Sequence, residues 1–224
     1  MTPLAHVAGG PLIVGIAGDV GGGSPSTLAQ ALVGLLGSAE TAFLSHDAYH
    51  VGDGGPPLDA RVRVERHTPE AFEQRLFLEH LAALRAGHPV RPPSSFSVGH
   101  RRLGRDALVV PRPVVVVEGA VLLWDPTVRA ALDLKIYLDT PERLWLERRL
   151  AHHAPETSRS ATGALVQLVA SLRDLHRHYV TPTRATADLV LSTTGGVRPI
   201  AEIAAAVVLD RLARHRAHRA RIAS

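Results

Sequence analysis

Short apolar runs alternate with helical patterns along most of the chain. The runs are continuous rather than alternating, which is typical of parallel strands covered on both faces of a sheet. They are LIVGIA (12–17), TAFLS (41–45), PVVVVEG (113–119), LKIYLD (134–139) and DLVLS (188–192). Apolar positions at helical spacing predict helices at 27–37, 69–87, 140–153, 163–180 and about 198–217. This order predicts an α/β fold with a mainly parallel, five-stranded sheet flanked by helices.

Two stretches do not fit the alternation. Residues 51–67 and 89–104 are rich in glycine, proline and arginine, and we predict functional loops beside the sheet there. The helix predicted at 69–87 carries its large apolar residues on one face, which are Phe72, Leu76, Phe77, Leu81 and Leu84.

The first predicted strand runs into GDVGGGSPSTLAQAL, a glycine-rich turn followed by a helix. Free backbone N–H groups and the helix dipole make such a turn an anion site. The phosphate-loop pattern is G-x-x-x-x-G-K-[ST], in which the lysine reaches the outer phosphates and the hydroxyl binds Mg²⁺. Gly18 and Gly23 have this spacing, but no lysine follows them. A capped flexible turn with no ligand is the alternative interpretation of this segment alone.

Two alignments of this loop are open. Without a gap, Ser24 replaces the lysine and Pro25 the hydroxyl residue. With one extra residue in the loop, Pro25 replaces the lysine and Ser26 remains as a Mg²⁺ ligand. The second is physically better, because Ser24 is then a good N-cap and Pro25 a good first helical residue. We predict that the nucleotide phosphates contact Gly18, Gly21, Gly22, Gly23, Ser24, Ser26 and Thr27.

Length and composition fit one large domain, or a core domain with a lid. Cysteine is absent, which excludes disulfides and cysteine-based metal sites. The chain has no apolar run of membrane-spanning length, and its first residues do not resemble a secretion signal, so we expect a cytoplasmic protein. The sequence pI of about 10.3 reflects arginine, since Lys135 is the single lysine. Because the arginines are scattered and aromatic residues are few, we do not expect a nucleic-acid partner.

The order of motifs from the first strand to about residue 197 resembles the uridine kinase family of P-loop phosphotransferases. The resemblance is carried by SHDAYH (45–50), HTPEAFEQRLFLEHLAALRAGHPV (67–90) and VVVVEGAVLLWDPTVRAALDLKIYLDT (114–140). It continues through ERRLAHH, SRS, LRDLHRHYVTPT and ADLVLSTTGG. It implies a single P-loop kinase-like domain that uses ATP and Mg²⁺ to phosphorylate a hydroxyl of a nucleoside, uridine or cytidine, or of a related small molecule. The oligomeric state, homo-oligomers included, stays open.

The resemblance also implies roles for particular residues. Asp47 would be the base that orients or deprotonates the acceptor hydroxyl, and it would lie near the metal. Glu118 ends an otherwise apolar strand, where a carboxylate needs a partner that a cation can supply. The implied metal ligands are therefore Ser26, Asp47 and Glu118. Arg149 would approach both the substrate and the transferring phosphate from a lid at about 148–162.

The remaining implied contacts are with the acceptor and the nucleotide. The acceptor-binding residues would be Tyr49, His67, Phe96, Arg101, Arg149, Arg159 and Gln167. On the nucleotide side, His152 stands at a lid position that usually holds arginine, and the loop ending at Gly196 would lie against the adenine. Where the family has a ribose-binding aspartate, Arg66 and His67 stand instead, which suits an anionic acceptor better than a plain ribose.

These departures leave two hypotheses. The first is a nucleoside kinase-like enzyme that is weakened by the loss of the phosphate-loop lysine. The second is a catalytically inactive domain of the same fold that binds a nucleotide or metabolite. Phosphoryl transfer depends mainly on positioning and electrostatics, so the loss of one cation slows the reaction without necessarily abolishing it.

Overall fold

A computed structural model describes residues 10–18, 24–51, 68–93, 96–98, 101–103, 108–152 and 161–222. Its seven strands are β1 (Leu12–Gly18), β2 (Thr41–Ser45), β3 (Phe96–Val98), β4 (Arg101–Leu103), β5 (Val114–Glu118), β6 (Leu134–Asp139) and β7 (Leu189–Ser192). Five of them form one sheet in the order β2-β5-β1-β6-β7, and every neighbouring pair is parallel. The predicted five-stranded parallel sheet is therefore confirmed.

Six helices accompany the strands in the described residues. They are α1 (Pro25–Leu36), α2 (Gln74–Arg85), α3 (Pro126–Ala130), α4 (Glu142–His152), α5 (Ala161–Leu175) and α6 (Val197–Ile222). Short 3₁₀ turns lie at His46–Tyr49, Pro69–Ala71, Thr181–Thr186 and Thr193–Gly195, and a π-helical turn at His176–Val180 follows α5. Among these described elements, no helix is both long enough and apolar enough to cross a membrane.

The core lies on both faces of the sheet. All residues of β1, β2 and β5 are buried, because helices cover both sides of these central strands. Helices α1 and α6 pack against each other, and α6 buries a residue at nearly every turn through Ile200, Ala204, Val208 and Leu212. Helix α2 buries Phe77, Leu81 and Leu84, as its apolar face predicts.

The predicted start of the second helix, at residue 69, is wrong. Residues Pro69–Ala71 form a 3₁₀ turn, Phe72 is extended, and the helix begins at Gln74. The cause is tertiary: the N–H of Val51 donates to the carbonyl of Ala71, and the N–H of Glu73 donates to that of Tyr49, both at 2.8 Å. These backbone bonds hold the segment as a bridge, so Phe72 packs ahead of the helix rather than on its face.

Other boundaries also differ from the predictions. The segment predicted as a loop at 89–104 contains an antiparallel ribbon of β3 and β4. Helix α5, predicted at 163–180, ends at Leu175 and continues as the π-helical turn, and α6 extends to Ile222. Helix α1 begins at Pro25, two residues earlier than predicted, because Ser24 caps it.

The carboxyl ends of the parallel strands meet at one edge of the sheet. Ser45 and Ile16 both lie opposite Glu118 in the register, and Gly18 lies opposite Leu138. Gly18 has a positive φ of 126°, and a Cβ there would collide with the backbone carbonyl of Leu138. Glycine at position 18 is thus required by the close approach of β6, whatever the following loop binds.

Candidate active site

The first turn of α1 supplies the hydroxyls at this edge. Ser24 is the N-cap: it has an extended backbone, and its Oγ accepts a hydrogen bond from the N–H of Thr27 at 3.3 Å. Pro25 follows as the first helical residue. These two local predictions are confirmed, and they favour the alignment in which Pro25 takes the lysine position and Ser26 the hydroxyl position. Gly21, Gly22 and Gly23 lie outside the described residues.

Glu118 ends β5 and is the buried centre of the site. Its side chain is only 3% exposed. Ser26 donates a hydrogen bond from Oγ to Oε2 at 2.8 Å, and Ser45 donates one from Oγ to Oε1 at 2.5 Å. Sequence reasoning missed Ser45. The available signal was its place as the last residue of β2, directly before the motif that contains Asp47.

Two carboxylates share this corner. Asp47 lies in the 3₁₀ turn after β2 and is exposed. The pKa of Glu118 is raised to about 7, mainly by burial and also by the negative charge of Asp47, while the hydrogen bonds from Ser45 and Ser26 act against both effects. Because the two charges repel, the ionised pair is favoured by a cation between or beside them.

The residue types fit Mg²⁺. The donors are carboxylate and hydroxyl oxygens, which hard cations prefer. Within the described parts of the chain, no cationic side chain pairs with Glu118. The same parts contain no group of three or more His, Asp or Glu able to hold a metal alone. Mg²⁺ usually takes one or two carboxylates and completes its shell with phosphate oxygens and water, so this donor set suits a metal that arrives with a nucleotide.

Replacing Glu118 by Gln tests the raised pKa without a ligand. Gln keeps partners for both serines but cannot ionise. In the wild type the folded state holds a proton between about pH 4.5 and 7 that the unfolded state releases, so folding stability falls as the pH rises through this window. We expect wild type to lose roughly 2–4 kcal/mol relative to E118Q across the window, and no more above it. Urea unfolding with a chelator at several pH values measures this; parallel curves for the two proteins would contradict it.

The single lysine cannot replace the missing phosphate-loop cation. Lys135 lies near the amino end of β6 and lies opposite Gly15 in the register. Its Nζ is 2.9 Å from a carboxylate oxygen of Asp188, just before β7. This ion pair joins the amino ends of β6 and β7, and β1 lies between it and the strand that carries Glu118, so Lys135 stabilises strand pairing.

The contact of Tyr49 with the acceptor stays a prediction, and the structure shows how this residue is held. Its side chain is fully buried, and its hydroxyl lies 2.7 Å from Nδ1 of His80 on α2. Burial raises the pKa of Tyr49, and the ring packs edge-on against Phe77. The described contacts of Tyr49 are those of a residue that anchors the turn of Asp47 to α2.

The loop after the last strand lies at the same edge. Gly196 has a φ of 85° and ends the 3₁₀ turn that follows β7, where a Cβ would meet no atom within 4 Å. Thr193 donates a hydrogen bond from its buried hydroxyl to that of Thr140 at 2.9 Å. The loop that the resemblance places against adenine is therefore attached to the segment that leads into α4.

The structure describes the lid and acceptor positions by backbone alone, or leaves them outside its described residues. Arg149 and His152 lie on α4, one turn apart, and Gln167 lies on α5. Phe96 and Arg101 begin the two strands of the antiparallel ribbon. His67 and Arg159 are outside the described residues.

The two helices that flank the predicted lid are joined at their bases. Trp145 on α4 is 2% exposed and stacks on His176, with ring centroids 4.7 Å apart. Arg173 on α5 pairs with Glu142 at 2.7 Å. Because the stack and the ion pair both join the start of α4 to the end of α5, the two helices are packed together where they meet the sheet.

Comparison with known proteins agrees with this architecture. The profile of the Phosphoribulokinase / Uridine kinase family matches residues 13–198, from β1 to the start of α6. The chain belongs to this family. The matched residues include all five strands of the sheet and the site at its carboxyl edge.

Curated members of the phosphoribulokinase/uridine kinase family are similar over most of their length. A uridine kinase of Chloroflexus aurantiacus is 34% identical over 191 residues, which cover 85% of this chain and 90% of the relative. A uridine kinase of Clostridium perfringens is 30% identical over 206 residues, which cover 92% of this chain and 98% of the relative.

Solved structures show the same fold. Phosphoribulokinase from Rhodobacter spheroides has a TM-score of 0.55 at 13% identity, covering 83% of this chain and 70% of that one. Shikimate kinase from Acinetobacter baumannii has a TM-score of 0.53 at 18% identity, covering 91% and 95%. The protein thus has the nucleotide-binding fold of P-loop kinases.

Proposed function

We propose that the protein is an ATP- and Mg²⁺-dependent phosphotransferase that acts on a hydroxyl of a nucleoside, uridine or cytidine, or of a related small molecule. Its activity is weakened because the phosphate-loop lysine is missing. The observation that carries the proposal is the buried Glu118, held by Ser26 and Ser45 beside Asp47, at the start of α1. The similarity to uridine kinases over most of the chain supports the acceptor class.

In this reaction Asp47 acts on the acceptor, and both carboxylates serve the metal. Asp47 is exposed at the sheet edge and accepts the proton of the acceptor hydroxyl. The acceptor oxygen then forms a bond to the γ-phosphorus, and the bond from that phosphorus to the bridging oxygen of ADP breaks. Glu118 and Ser26, with Asp47, would hold Mg²⁺, which when bound neutralises charge on the outer phosphates.

Other residues of the chain bind and orient the two substrates. Backbone N–H groups at the start of α1 would face the phosphates, with the helix dipole favouring their charge. Arg149 and His152 would approach the phosphates from the lid, together with Arg159. The acceptor would contact Gln167, the ribbon residues Phe96 and Arg101, and His67.

A second candidate is a nucleotide- or metabolite-binding domain without turnover. It is favoured by the residue at the lysine position, Pro25, which has neither a charge nor an N–H. The single lysine, Lys135, is paired with Asp188 instead. The binding contribution of the helix start needs no side chain, so a nucleotide can bind where transfer has been lost.

Two measurements on the whole protein separate the candidates. Calorimetry with ATP, with and without Mg²⁺, measures binding, and a labelled γ-phosphate screen over uridine, cytidine and small phosphorylated alcohols measures transfer. We expect weak, Mg²⁺-dependent binding with slow transfer, and E118Q should weaken binding with Mg²⁺ more than binding without it. Binding with no transfer to any acceptor supports the second candidate. If no nucleotide binds under any condition, both are wrong.

A further inference from the structure

A buried histidine lies directly before the proposed base. His46 is the first residue of the 3₁₀ turn that carries Asp47, and its side chain is only 2% exposed. Its ring stacks on Phe72, with centroids 4.1 Å apart and planes within 11°. Phe77 of α2 meets the same ring edge-on at 4.7 Å. The imidazole is therefore enclosed by the segment before α2 and by α2 itself.

The opposite side of His46 rests on the strand that carries Glu118. Gly119 follows Glu118 directly, and a Cβ at Gly119 would lie 2.7 Å from Cβ of His46 and 3.3 Å from both its Cγ and its Nδ1. A real Cβ essentially never makes the first of these contacts. Position 119 must therefore be glycine for the turn of Asp47 to lie this close to the end of β5.

A hydrogen-bond chain ties the ring to two helix starts. Nε2 of His46 lies 3.1 Å from Oε1 of Gln74, the first residue of α2. Burial lowers the pKa of His46 to about 4, so the ring is neutral near pH 7 and its Nε2 donates to the amide oxygen. The side chain of Gln74 in turn bonds Asp125, which caps α3 through the backbone N–H groups of Thr127 and Val128.

The second ring nitrogen of His46 makes no hydrogen bond, within the described part of the chain, that could hold the ring in place. Nδ1 of His46 is buried and has no hydrogen-bond partner in the described residues. A buried unpaired acceptor costs stability, so stacking and the bond to Gln74 must outweigh this cost. Such a ring is held by its fit to three elements, which are the segment before α2, the start of α2 and the end of β5.

We propose that His46 is a positioning residue that holds Asp47 at a set place relative to Glu118 and to the start of α2. The inference rests on the proposed function, because it takes Asp47 as the base. Groups that react must lie within a narrow range of distances, and a displacement of about 1 Å can cost about 100-fold in rate. His46 acts only through Asp47, so its loss should change turnover rather than nucleotide affinity.

The kinetic test uses two variants of His46 and a control. His46→Ala removes the ring, and we expect kcat to fall about 10- to 100-fold while KM for ATP changes by less than about twofold. His46→Phe keeps a stacking ring but cannot donate to Gln74, so its loss should be smaller. Ile13→Val, a buried change near the amino end of β1, controls for lost stability and should keep the wild-type kcat.

A double variant tests whether His46 acts through Asp47. In the Asp47→Asn background, His46→Ala should cause no further loss, because there is no base left to position. If the losses in kcat from His46→Ala and Asp47→Asn instead add in the double variant, the positioning role is wrong. It is also wrong if His46→Ala has the same kcat as Ile13→Val.

A readout without catalysis separates this inference from the proposed function. Gly119→Ala forces the turn away from β5, and His46→Phe loosens it from α2. Both should speed hydrogen exchange at the amides of His46–Tyr49, while Ile13→Val should not. If wild type transfers no phosphate but exchange still rises in both variants, the proposed function fails and the positioning stands. If exchange in the turn is unchanged in both, the positioning is wrong whatever the activity.

Discussion

Replacing Asp47 by Asn lowers the rate of phosphate transfer by about 10²- to 10⁴-fold, the usual contribution of a general base. Asn has nearly the same shape as Asp, but it cannot accept the acceptor's proton and does not attract Mg²⁺ as a carboxylate does. The negative charge of Asp47 also raises the pKa of Glu118. The same variant should therefore lower the pKa of Glu118, which ¹³C NMR of its carboxyl group measures in the metal-free protein.

The matched control is the same change at another carboxylate of the sheet edge. Asp139 ends β6 and forms a half-exposed ion pair with Arg184 at 3.2 Å. Such surface pairs contribute about 0–1 kcal/mol to stability, so Asp139→Asn should leave transfer unchanged. Single-turnover rates with saturating ATP measure both variants. A loss in Asp47→Asn no larger than in Asp139→Asn would show that Asp47 is not the base.

Restoring a lysine at position 25 strengthens the binding of ATP with Mg²⁺ by about 10- to 100-fold. The reason is a new charge-assisted contact with the outer phosphates, worth roughly 1.5–3 kcal/mol. The backbone N–H that Pro25 lacks would return as well. Transfer should rise at least as much as binding, because a cation on the outer phosphates also stabilises the charge that develops in the transition state. Calorimetry measures the affinity, and single-turnover assays measure transfer.

Two variants control for effects other than the charge. Pro25→Met has a side chain of comparable reach without a charge, and its affinity should stay near that of wild type. Ser24→Lys places the cation according to the ungapped alignment and removes the N-cap of α1, at a cost of about 1 kcal/mol in stability. If Ser24→Lys gains affinity and Pro25→Lys does not, the ungapped alignment is right. If neither variant gains affinity, the missing cation is not the only defect of the loop.

The strands show how far local pattern determines structure here. The bounds predicted for β2 and β6 match the structure, β1 and β7 differ by one residue at one end, and β5 differs by one residue at each end. Continuous apolar runs predict the strands well, because a parallel strand that is covered on both faces is apolar at nearly every position. The N-cap at Ser24 was predictable for a related reason, since a cap depends only on residues within one turn.

The candidate site was predictable in its carboxylates and less so in its supports. Asp47 and Glu118 stand out in the sequence as polar residues where apolar strands end, and parallel strands bring such ends to one edge. Ser45, His46 and Gln74 carry no comparable signal, because their roles depend on register and on contacts between distant segments. The resemblance implied a contact of Tyr49 with the acceptor, which stays a prediction, and only the structure shows that its hydroxyl lies 2.7 Å from Nδ1 of His80 on α2.

The sequence by itself determined the parallel sheet, the capped helix after β1 and the absence of a lysine in the phosphate loop. Each of these follows from residue type and local spacing. Only the tertiary structure decided that Phe72 leaves its predicted helix to stack on His46, that Ser26 and Ser45 share Glu118, and that Lys135 pairs with Asp188. These depend on which distant backbone groups pair and on which side chains then share a buried space, and no local pattern contains that information.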